Sequence, residues 1–530
     1  MTVAYIPLDE RPCNLHFPRH ALSGNASVTL AVPPAYMFGK KKTAGDPDAL
    51  LNWLEATIQD CDALVLSLEM ILYGGLLPSR LHHMSYNDLS LHLEKVISLI
   101  RWRKEREGGG RFRVYAFGLV MRTPSYSSDD EEPDYYARFG REIFRRAYLS
   151  HKSETEELTE DETREYCSLD QIIPEEILND YEGRRETNRR LLQDAIRYFS
   201  QGDIDVLLIP QDDTARYGYG PKDWSCLLSR IPPGDGPGSG NLLSYPGADE
   251  VGGVLIARSV MDGNNRNTGN DPRREKQKGI KMYVLPRLWE DMKRIPKYES
   301  MSLSESVRNQ IQSCGAVEAG NPEDADIILA VNTPPAGMHE APGQEFRESS
   351  EFAQQIARLS SRYSLPVIAA DTAYPNGGET SLLQEFERQN LWNSLLSYAG
   401  WNTAGNSLGT ALYEGVLAYL AGDAGIRMKN LYYRICDDWA YQSILRSTWT
   451  ARLSERGTEG HVDITSIGNL PGLKSELRDQ INELMESRFP QFTDMAGYRV
   501  SQVEFPWDRL FEVRLEIESA AASSSALLKQ

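Results

Sequence analysis

The chain has 530 residues, of which 41% are hydrophobic and 25% are charged, so it contains enough apolar material for a large globular core. Its 57 Lys and Arg against 76 Asp and Glu give a formal net charge of −19, and such an acidic chain repels phosphate backbones and anionic membranes. We therefore expect neither a nucleic-acid partner nor a membrane partner.

The chain shows no targeting or cofactor signature. It begins with a strand pattern, without a basic segment followed by an apolar one, and it has no apolar run of membrane-spanning length, so we expect a cytoplasmic protein. The six scattered cysteines form no CxxC pair, and no P-loop, strand-linked GxGxxG, HExxH or GxSxG occurs. We expect no cofactor and no zinc site, while carboxylates at strand ends leave a magnesium or calcium site open.

Short apolar runs rich in Val, Ile and Leu recur along the chain, and each stops at a polar or charged residue. The runs are Val3–Leu8, Ala63–Leu68, Val114–Met121, Val206–Pro210, Ile327–Val331, Val367–Ala370 and Leu395–Gly400. Such runs are typical of strands buried on both faces, and the helical patterns between most of them indicate parallel β/α units. The C-terminal strand ends of such folds share one rim, where ligands bind.

The pattern favours an α/β fold, with residues 1–424 as a (β/α) barrel-like domain and residues 425–530 as a small α+β appendage. Within the first domain, residues 125–203 read as a helical insertion that opens with a charged loop at residues 127–133. Met261–Gly279 is predicted to be a loop and Ser519–Gln530 a frayed end. Two doubly wound parallel-sheet domains are the alternative, because the sequence does not fix strand order.

The strongest chemical signal is Asp212-Asp213, which follows the strand Val206–Pro210 and Gln211. At a strand end two adjacent carboxylates can enter one pocket, and their proximity raises the pKa of one, which gives a proton donor beside an anion. Glycoside hydrolysis uses such a pair. A turn or helix-cap pair that binds local backbone amides is the structural alternative.

A second constellation lies at Tyr398–Thr410. The face of Trp401 could stack on a sugar ring, and the amides of Asn402 and Asn406 could hold hydroxyl groups. The alternative is that Trp401 belongs to the core and that Asn406 caps a helix.

Other candidates for substrate binding stand at or near predicted strand ends, where they could clamp a polar ligand. They are Asp9, Glu10, Arg11, Asn14, Glu69, Tyr73, Arg122, Gln211 and Asp371. An acid–Arg salt bridge that closes a barrel end is the alternative for Asp9, Glu10 and Arg11. We expect the whole set to converge around one hollow with Asp212 and Asp213 at its floor.

Six motifs occur in an order that resembles the bacterial family named domain of unknown function 4127. They are LDERPCN, LYGGLLPSR, IPQDDTARYGYG, YPGADEVG, DTAYPNGGE and YAGWNTAGNSLGTAL, and the resemblance spans residues 1 to about 420. The Asp-Asp strand end is also similar to that of substrate-assisted β-N-acetylhexosaminidases of the hyaluronidase-like type. That similarity implies that Asp212 orients the substrate acetamide and that Asp213 is the general acid/base.

We interpret the chain as a glycoside hydrolase that acts from the ends of small glycans, with a small carbohydrate as its substrate. One rival is a metal-dependent amidase or deacetylase built on the same carboxylates. The other is a non-enzymatic sugar- or amino-acid-binding protein. A homo-oligomer is compatible with the sequence, which does not determine the oligomeric state.

Overall fold

The computed structural model describes residues 1–106, 112–229, 231, 240–267, 279–455, 463–465 and 467–520. The chain divides into two compact units. The first unit comprises Met1–Glu10, Ser27–Gly263 and Tyr298–Met301, and the second comprises Arg11–Ala26, Asn264–Lys297 and Ser302–Gln530. Each unit therefore draws on segments that are distant in the sequence.

Each of the seven predicted apolar runs overlaps a strand of the structure, and the other strands lie outside those runs. In chain order the strands are β1 Thr2–Ile6, β2 Thr29–Ala31, β3 Gly39–Lys40, β4 Thr43–Ala44, β5 Ala63–Ser67, β6 Arg113–Phe117, β7 Val206–Leu208, β8 Leu242–Leu243, β9 Lys281–Pro286, β10 Val317–Glu318, β11 Ile327–Asn332, β12 Val367–Asp371, β13 Leu395–Ala399, β14 Tyr498–Glu504 and β15 Arg514–Ser519.

The helices fill the intervals between strands. They are α1 Pro12–Leu22, α2 Pro47–Thr57, α3 Leu68–Tyr73, α4 Leu76–Leu81, α5 Tyr86–Arg106, α6 Tyr136–Ser153, α7 Glu160–Ile172, α8 Glu175–Ser200, α9 Tyr219–Leu228, α10 Val251–Asn267, α11 Leu303–Ser313, α12 Ser350–Tyr363, α13 Thr380–Arg388, α14 Ala404–Ala421, α15 Ala424–Arg434, α16 Arg446–Ser454, α17 Leu470–Arg488 and α18 Pro490–Ala496. A π-helix, Ile435–Leu445, joins α15 to α16.

The first unit is built on a six-stranded sheet in the order β2-β1-β5-β6-β7-β8, in which neighbouring strands run parallel. All five residues of β5 are buried, as expected for a central strand covered on both faces. Between β6 and β7 the chain forms α6, α7 and α8. Apolar side chains of α6 and α8, together with Ile173 just after α7, form one cluster with Met121, which lies beyond the end of β6.

The second unit is built on a five-stranded parallel sheet in the order β10-β9-β11-β12-β13. Numbered along the chain, the first five strands of each sheet have the order 2-1-3-4-5, which places the reversal of winding between the first and third strands. Ligands of open α/β sheets bind outside the carboxyl ends of strands at such a point.

These sheets confirm the predicted α/β class with parallel strands. The (β/α) barrel is not confirmed, because the described strands form open sheets: β2 and β8 lie at the edges of one, and β10 and β13 at the edges of the other. Open parallel sheets were a part of the alternative architecture. Residues 425–520 contain helices and the antiparallel pair β14–β15, and they belong to the second unit. The predicted domain limits at residues 424 and 425 stay a prediction.

Two predicted loops are covered only in part. Helix α10 continues to Asn267, beyond the predicted start of the Met261–Gly279 loop, and residues 268–278 lie outside the described residues. At the C-terminus, β15 extends to Ser519, and residues 521–530 of the predicted frayed segment also lie outside them.

Candidate functional site

Charged side chains gather at the carboxyl ends of β5, β6 and β7 in the first unit. Beyond the regular strands the chain stays in parallel register, since Val120 bridges Gln211 and Gln211 bridges Pro246. This extension carries the residues that follow, Arg122 from one strand and Asp212-Asp213 from the next, to the same edge of the sheet.

Each aspartate of the pair contacts a different arginine. Arg80, only 2% exposed, donates from Nη2 to Oδ2 of Asp212 at 2.6 Å. Arg122 donates from Nη1 to Oδ2 of Asp213 at 3.0 Å. Two adjacent carboxylates are therefore held apart by separate guanidinium groups, and Asp212 has the more buried partner.

The two arginines also share acidic partners from the loop before α6. Oε2 of Glu131 lies 3.1 Å from Nη1 of Arg80 and 2.8 Å from Nη2 of Arg122. Oε1 of Glu132 accepts a hydrogen bond from Nε of Arg122 at 2.8 Å. The loop thus bridges both guanidinium groups and fixes their positions beneath the aspartates.

Arg80 reaches the cluster because of a tight turn between α3 and α4. Gly74 has φ +82° and ends α3, and a Cβ at this position would lie 2.6 Å from the backbone nitrogen of Gly45. Gly75 follows with φ +136° and precedes α4. Only glycine adopts such conformations readily, so the Gly-Gly pair permits the sharp approach that aims Arg80 inward.

Asp213 has the features of a proton donor. Partial removal from water, together with the negative charge of Asp212, raises the pKa of Asp213 to about 6. Its side chain is 36% exposed, so a ligand can reach it. Its φ of +24° is uncommon for a residue with a Cβ, and strained backbone of this kind clusters at functional sites.

Glu69 is a second carboxyl group with a raised pKa. It lies in the first turn of α3, directly after β5, and its Oε1 accepts a hydrogen bond from the backbone N–H of Leu119 at 2.6 Å. Burial raises the pKa of Glu69 to about 7, and the charge of Asp212 adds to the effect. Glu69 is therefore poised to hold or release a proton near neutral pH.

The cluster contains more acids than bases. Its five carboxyl groups, Glu69, Glu131, Glu132, Asp212 and Asp213, face the two guanidinium groups of Arg80 and Arg122. Full ionisation would leave an uncompensated negative charge in a largely buried place, so the arrangement favours retention of a proton. A narrow crevice of about 10 Å³, room for about one water, opens beside Asp213 and is lined by Thr123 and Thr214 among others.

The remaining predicted residues of the first unit have other contacts. Asp9 is buried after β1, and Glu10 accepts a hydrogen bond from the backbone N–H of Lys41 at 2.8 Å. Tyr73 is buried with its ring 4.7 Å from that of His82. Gln211 accepts from the hydroxyl of Ser300 at 3.1 Å. Their proposed contacts with substrate stay predictions.

The other predicted binding residues belong to the second unit. Arg11 lies 3.5 Å from Glu512 and stacks on Trp507, while Asn14 is buried in α1. Trp401 is 4% exposed and donates from its indole N–H to Thr410 at 3.2 Å.

Asn402 and Asn406 are joined at the start of α14. The side-chain N–H of Asn406 donates to Oδ1 of Asn402 at 2.8 Å, and Thr403 is the cap residue of this helix. The expected convergence of all these side chains with Asp212 and Asp213 stays a prediction.

Asp371 lies in a separate buried network at the carboxyl ends of β11 and β12. Asn332 donates to Asp371 at 2.7 Å and to Glu379 at 2.6 Å, and Arg287 donates to Glu379 at 2.9 Å. Burial and the charge of Glu379 raise the pKa of Asp371 to about 6. Because neighbouring donors already bind the carboxylates of Asp371 and Glu379, this network indicates a structural role in holding the strand ends together.

Sequence reasoning did not name Glu131 or Glu132 among the candidates, and it noted Arg80 only as a neighbour of Glu69 and Tyr73, not as a binding residue. Arg80 closes the conspicuous string LYGGLLPSR, and the two glutamates stand in the charged loop, so position alone gave a weak signal. It also missed Arg434, Asp437 and Asp438, which meet at the start of the π-helix with Nη2 of Arg434 2.8 Å from Asp437 and 3.0 Å from Asp438. A π-helix is not visible in an apolar pattern, although such elements frequently mark functional sites.

No group of three or more His, Cys, Asp or Glu side chains in the described part of the chain is arranged to hold a metal ion. Across the same residues, none of the helices combines the length and apolarity needed to cross a bilayer.

Comparison with known proteins agrees with the motif pattern. No curated protein matches the chain. A family model described as protein of unknown function (DUF4127) matches residues 3–516, which cover both parallel sheets except for Thr2 at the start of β1. The chain therefore belongs to the DUF4127 family.

Proposed function

We propose that the first unit carries the catalytic centre of a glycoside hydrolase that removes terminal residues from small glycans in the cytoplasm. The observation that carries the proposal is the Asp212-Asp213 pair: one carboxylate is held by buried Arg80, and its exposed neighbour has a pKa raised to about 6. An anion beside a proton donor is the arrangement that glycosidic bond cleavage requires.

The two aspartates have different roles in this proposal. Asp213 donates a proton to the leaving-group oxygen as the glycosidic bond breaks, and it later takes a proton from the water that attacks the anomeric carbon and displaces the acetamide oxygen. Asp212, fixed by Arg80, accepts a hydrogen bond from the acetamide of an N-acetylhexosamine, whose carbonyl oxygen attacks the anomeric carbon. Glu69, Arg122 and the bridging glutamates set the charge around the pair. General acid catalysis contributes on the order of 10²–10⁴-fold in rate.

The test is hydrolysis of aryl glycosides by the wild type and by Asp213→Asn. We expect the variant to lose about 10²–10⁴-fold in kcat/KM for phenyl leaving groups, and less for nitrophenyl leaving groups, which need little protonation. The control is Asp161→Asn on α7, whose side chain is 88% exposed, and it should retain full activity. Unchanged turnover of phenyl glycosides by Asp213→Asn would refute its assigned role.

The pH profile gives an independent check. Since Asp213 must be protonated to act as an acid, kcat/KM should fall as the pH rises through about 6. This alkaline limb should disappear in Asp213→Asn. Repeating the assay with a chelator separates the metal-free mechanism from the metal-dependent amidase or deacetylase alternative, which predicts loss of activity.

The second candidate is a sugar- or amino-acid-binding protein without catalysis. It is favoured by the two open parallel sheets, each with its reversal of winding between the first and third strands, since binding sites form at such points. It predicts saturable binding in calorimetry and no turnover of any aryl glycoside, whereas the first proposal requires turnover.

A further inference from the structure

A pocket of about 480 Å³ opens in the first unit, outside the Asp212-Asp213 pair. Its volume falls within the range of small-molecule sites. The insertion between β6 and β7 supplies most of its wall, including Tyr135, Ile177 and Asp180, and α4 and the segment after it supply Leu81 and His83. The insertion therefore borders an open pocket of ligand size.

The polar side of the pocket is organised around Asp180. Arg184 donates from Nη2 to both oxygens of Asp180 at 2.9 and 2.8 Å, and the hydroxyl of Tyr135 donates to Oδ2 at 2.6 Å. Burial alone would raise the pKa of Asp180, but these donors lower it, so the group stays an anion. Nδ1 of His83 lies 3.4 Å from Oδ1 on the solvent side.

The charges of the lining select against anions. Arg184 is engaged by Asp180, and the lining also contains Lys42, whose Nζ lies 4.0 Å from Oδ1 of Asp134, and Glu176. The lining also has an apolar part, supplied by Leu81, Pro133 and Ile177 with the ring of Tyr135. Hydroxyl or amine groups would meet the carboxylates, and the apolar face of a ring would meet this wall.

The pocket wall is continuous with the candidate catalytic cluster. Leu81 follows Arg80 on α4, and Pro133 follows Glu132, so the segments that line the pocket also hold the arginine and glutamate of the cluster. We propose that this pocket binds a neutral or amine-bearing hexosamine unit of the glycan, away from the bond that is cleaved. The sugar identity of the ligand rests on the proposed function, whereas the discrimination against anions rests on the lining charges.

The test measures binding in an Asp213→Asn background, where turnover does not consume the probe. The probes are glucosamine, the disaccharide of N-acetylglucosamine, and glucuronate, each titrated by calorimetry. We expect saturable binding of the first two and weaker binding of glucuronate. Ile177→Trp, which fills the pocket, should weaken binding at least about tenfold. Ile172→Trp is the matched control on α7, and it should bind like its parent.

A second variant keeps the test informative if Ile177→Trp does not fold, as judged by circular dichroism. Glu176→Lys alters an exposed lining residue and should weaken glucosamine binding while it strengthens glucuronate binding. The inference is overturned if no sugar binds, if both pocket variants bind like the parent, or if glucuronate binds most tightly.

The outcomes separate this inference from the proposed function. Loss of binding in Ile177→Trp, combined with absence of glycoside turnover by the wild type, would reject hydrolysis and retain the pocket. Turnover that depends on Asp213, combined with normal binding in both pocket variants, would retain hydrolysis and reject the pocket as a binding site.

Discussion

Glu69 shows how the surroundings of one carboxyl group change its chemistry. In the sequence it is an acidic residue after an apolar run, whereas in the folded chain burial raises its pKa to about 7. The pKa values of Asp213 and Asp371 are also raised, each to about 6. Removal from water is the main cause in both, and a neighbouring acid adds to each shift. Residue type alone thus did not determine which carboxyl groups can carry a proton near neutral pH.

The raised pKa of Glu69 predicts a pH-dependent stability. Its folded pKa lies above its unfolded value of about 4.5, so its contribution is fully present below that value and is lost as the pH rises through about 7. Because glutamine does not ionise, Glu69→Gln should not show this loss of stability with rising pH. The free energy of unfolding of the variant minus that of the wild type should therefore be larger at about pH 8 than at about pH 5, by on the order of 3 kcal/mol.

Denaturant unfolding at the two pH values measures this difference. Glu157→Gln, at an exposed position, serves as the control and should follow the wild type at both. If the free energies of unfolding of Glu69→Gln and the wild type differ by the same amount at both pH values, the Glu69 side chain is not removed from water as described.

Arg80 is the residue on which the buried acids depend. Arg80→Met removes the cation beside Asp212, Glu131 and Glu132 and should destabilise the first unit by about 3–5 kcal/mol, because unpaired charges stay buried. Urea unfolding followed by tryptophan fluorescence measures the loss.

Two further variants test the cause of that effect. Adding Glu132→Gln to Arg80→Met should recover part of the stability, since one buried charge is removed with its partner. Arg164→Met is the matched control: Arg164 is 75% exposed, and its loss should change stability by less than about 0.5 kcal/mol. If Arg80→Met behaves like Arg164→Met, the buried pair does not exist in solution.

At the scale of elements, short connections place the chemistry and long insertions shape its surroundings. The Gly74-Gly75 turn lets α3 and α4 follow β5 closely, so Glu69 and Arg80 come from one β/α connection. Within the insertion, α8 and the segment just before α6 instead supply most of the pocket around Asp180. Both features lie beyond the carboxyl ends of parallel strands, where loops are free to vary without disturbing the sheet.

Helix α7 of the insertion begins with a capping box whose contribution can be measured. The hydroxyl of Thr159 accepts from the backbone N–H of Glu162 at 3.2 Å, and the carboxylate of Glu162 accepts from the backbone N–H of Thr159 at 3.0 Å. Thr159→Ala should destabilise the first turn by about 1 kcal/mol, seen as faster amide hydrogen exchange in α7. Thr163→Ala makes the same chemical change inside the helix and should alter exchange by less than about 0.5 kcal/mol. Equal exchange in the two variants would contradict the cap.

At the scale of the whole molecule, two parallel sheets share an order for their first five strands, and the predicted site residues are divided between the units that contain them. Asp212, Asp213, Glu69 and Arg122 belong to the first unit, and Asp371, Trp401, Asn402 and Asn406 belong to the second. The first group forms the cluster on which the proposed function rests.

The overall negative charge predicts that the protein does not bind polyanions. With a formal net charge of −19, the protein should give no saturable change in the fluorescence anisotropy of a labelled DNA duplex at low salt. A basic DNA-binding protein provides the positive control. A saturable rise that weakens steeply with added salt would reveal a basic surface and contradict the prediction.

The sequence by itself determined the positions of the seven strands that coincide with apolar runs and the residues that follow them. Val206–Leu208, for example, lies inside an apolar run bounded by polar residues, and local hydrophobicity suffices to identify such a buried strand. The placement of Asp212-Asp213 at a strand end follows from the same local pattern. No helix was predicted at α1, α15 or the π-helix, although the side chain of Asp423 caps α15.

Only the tertiary structure decided which distant segments meet. The open sheets replace the expected barrel because strand pairing depends on contacts that no local pattern encodes. The contact between Arg80 and Asp212 joins residues 132 positions apart, and the raised pKa of Asp213 depends on that arrangement of charge and burial. Hydrophobic periodicity is a property of neighbouring residues, whereas charge pairing and desolvation arise only when the folded chain brings remote groups together and excludes water.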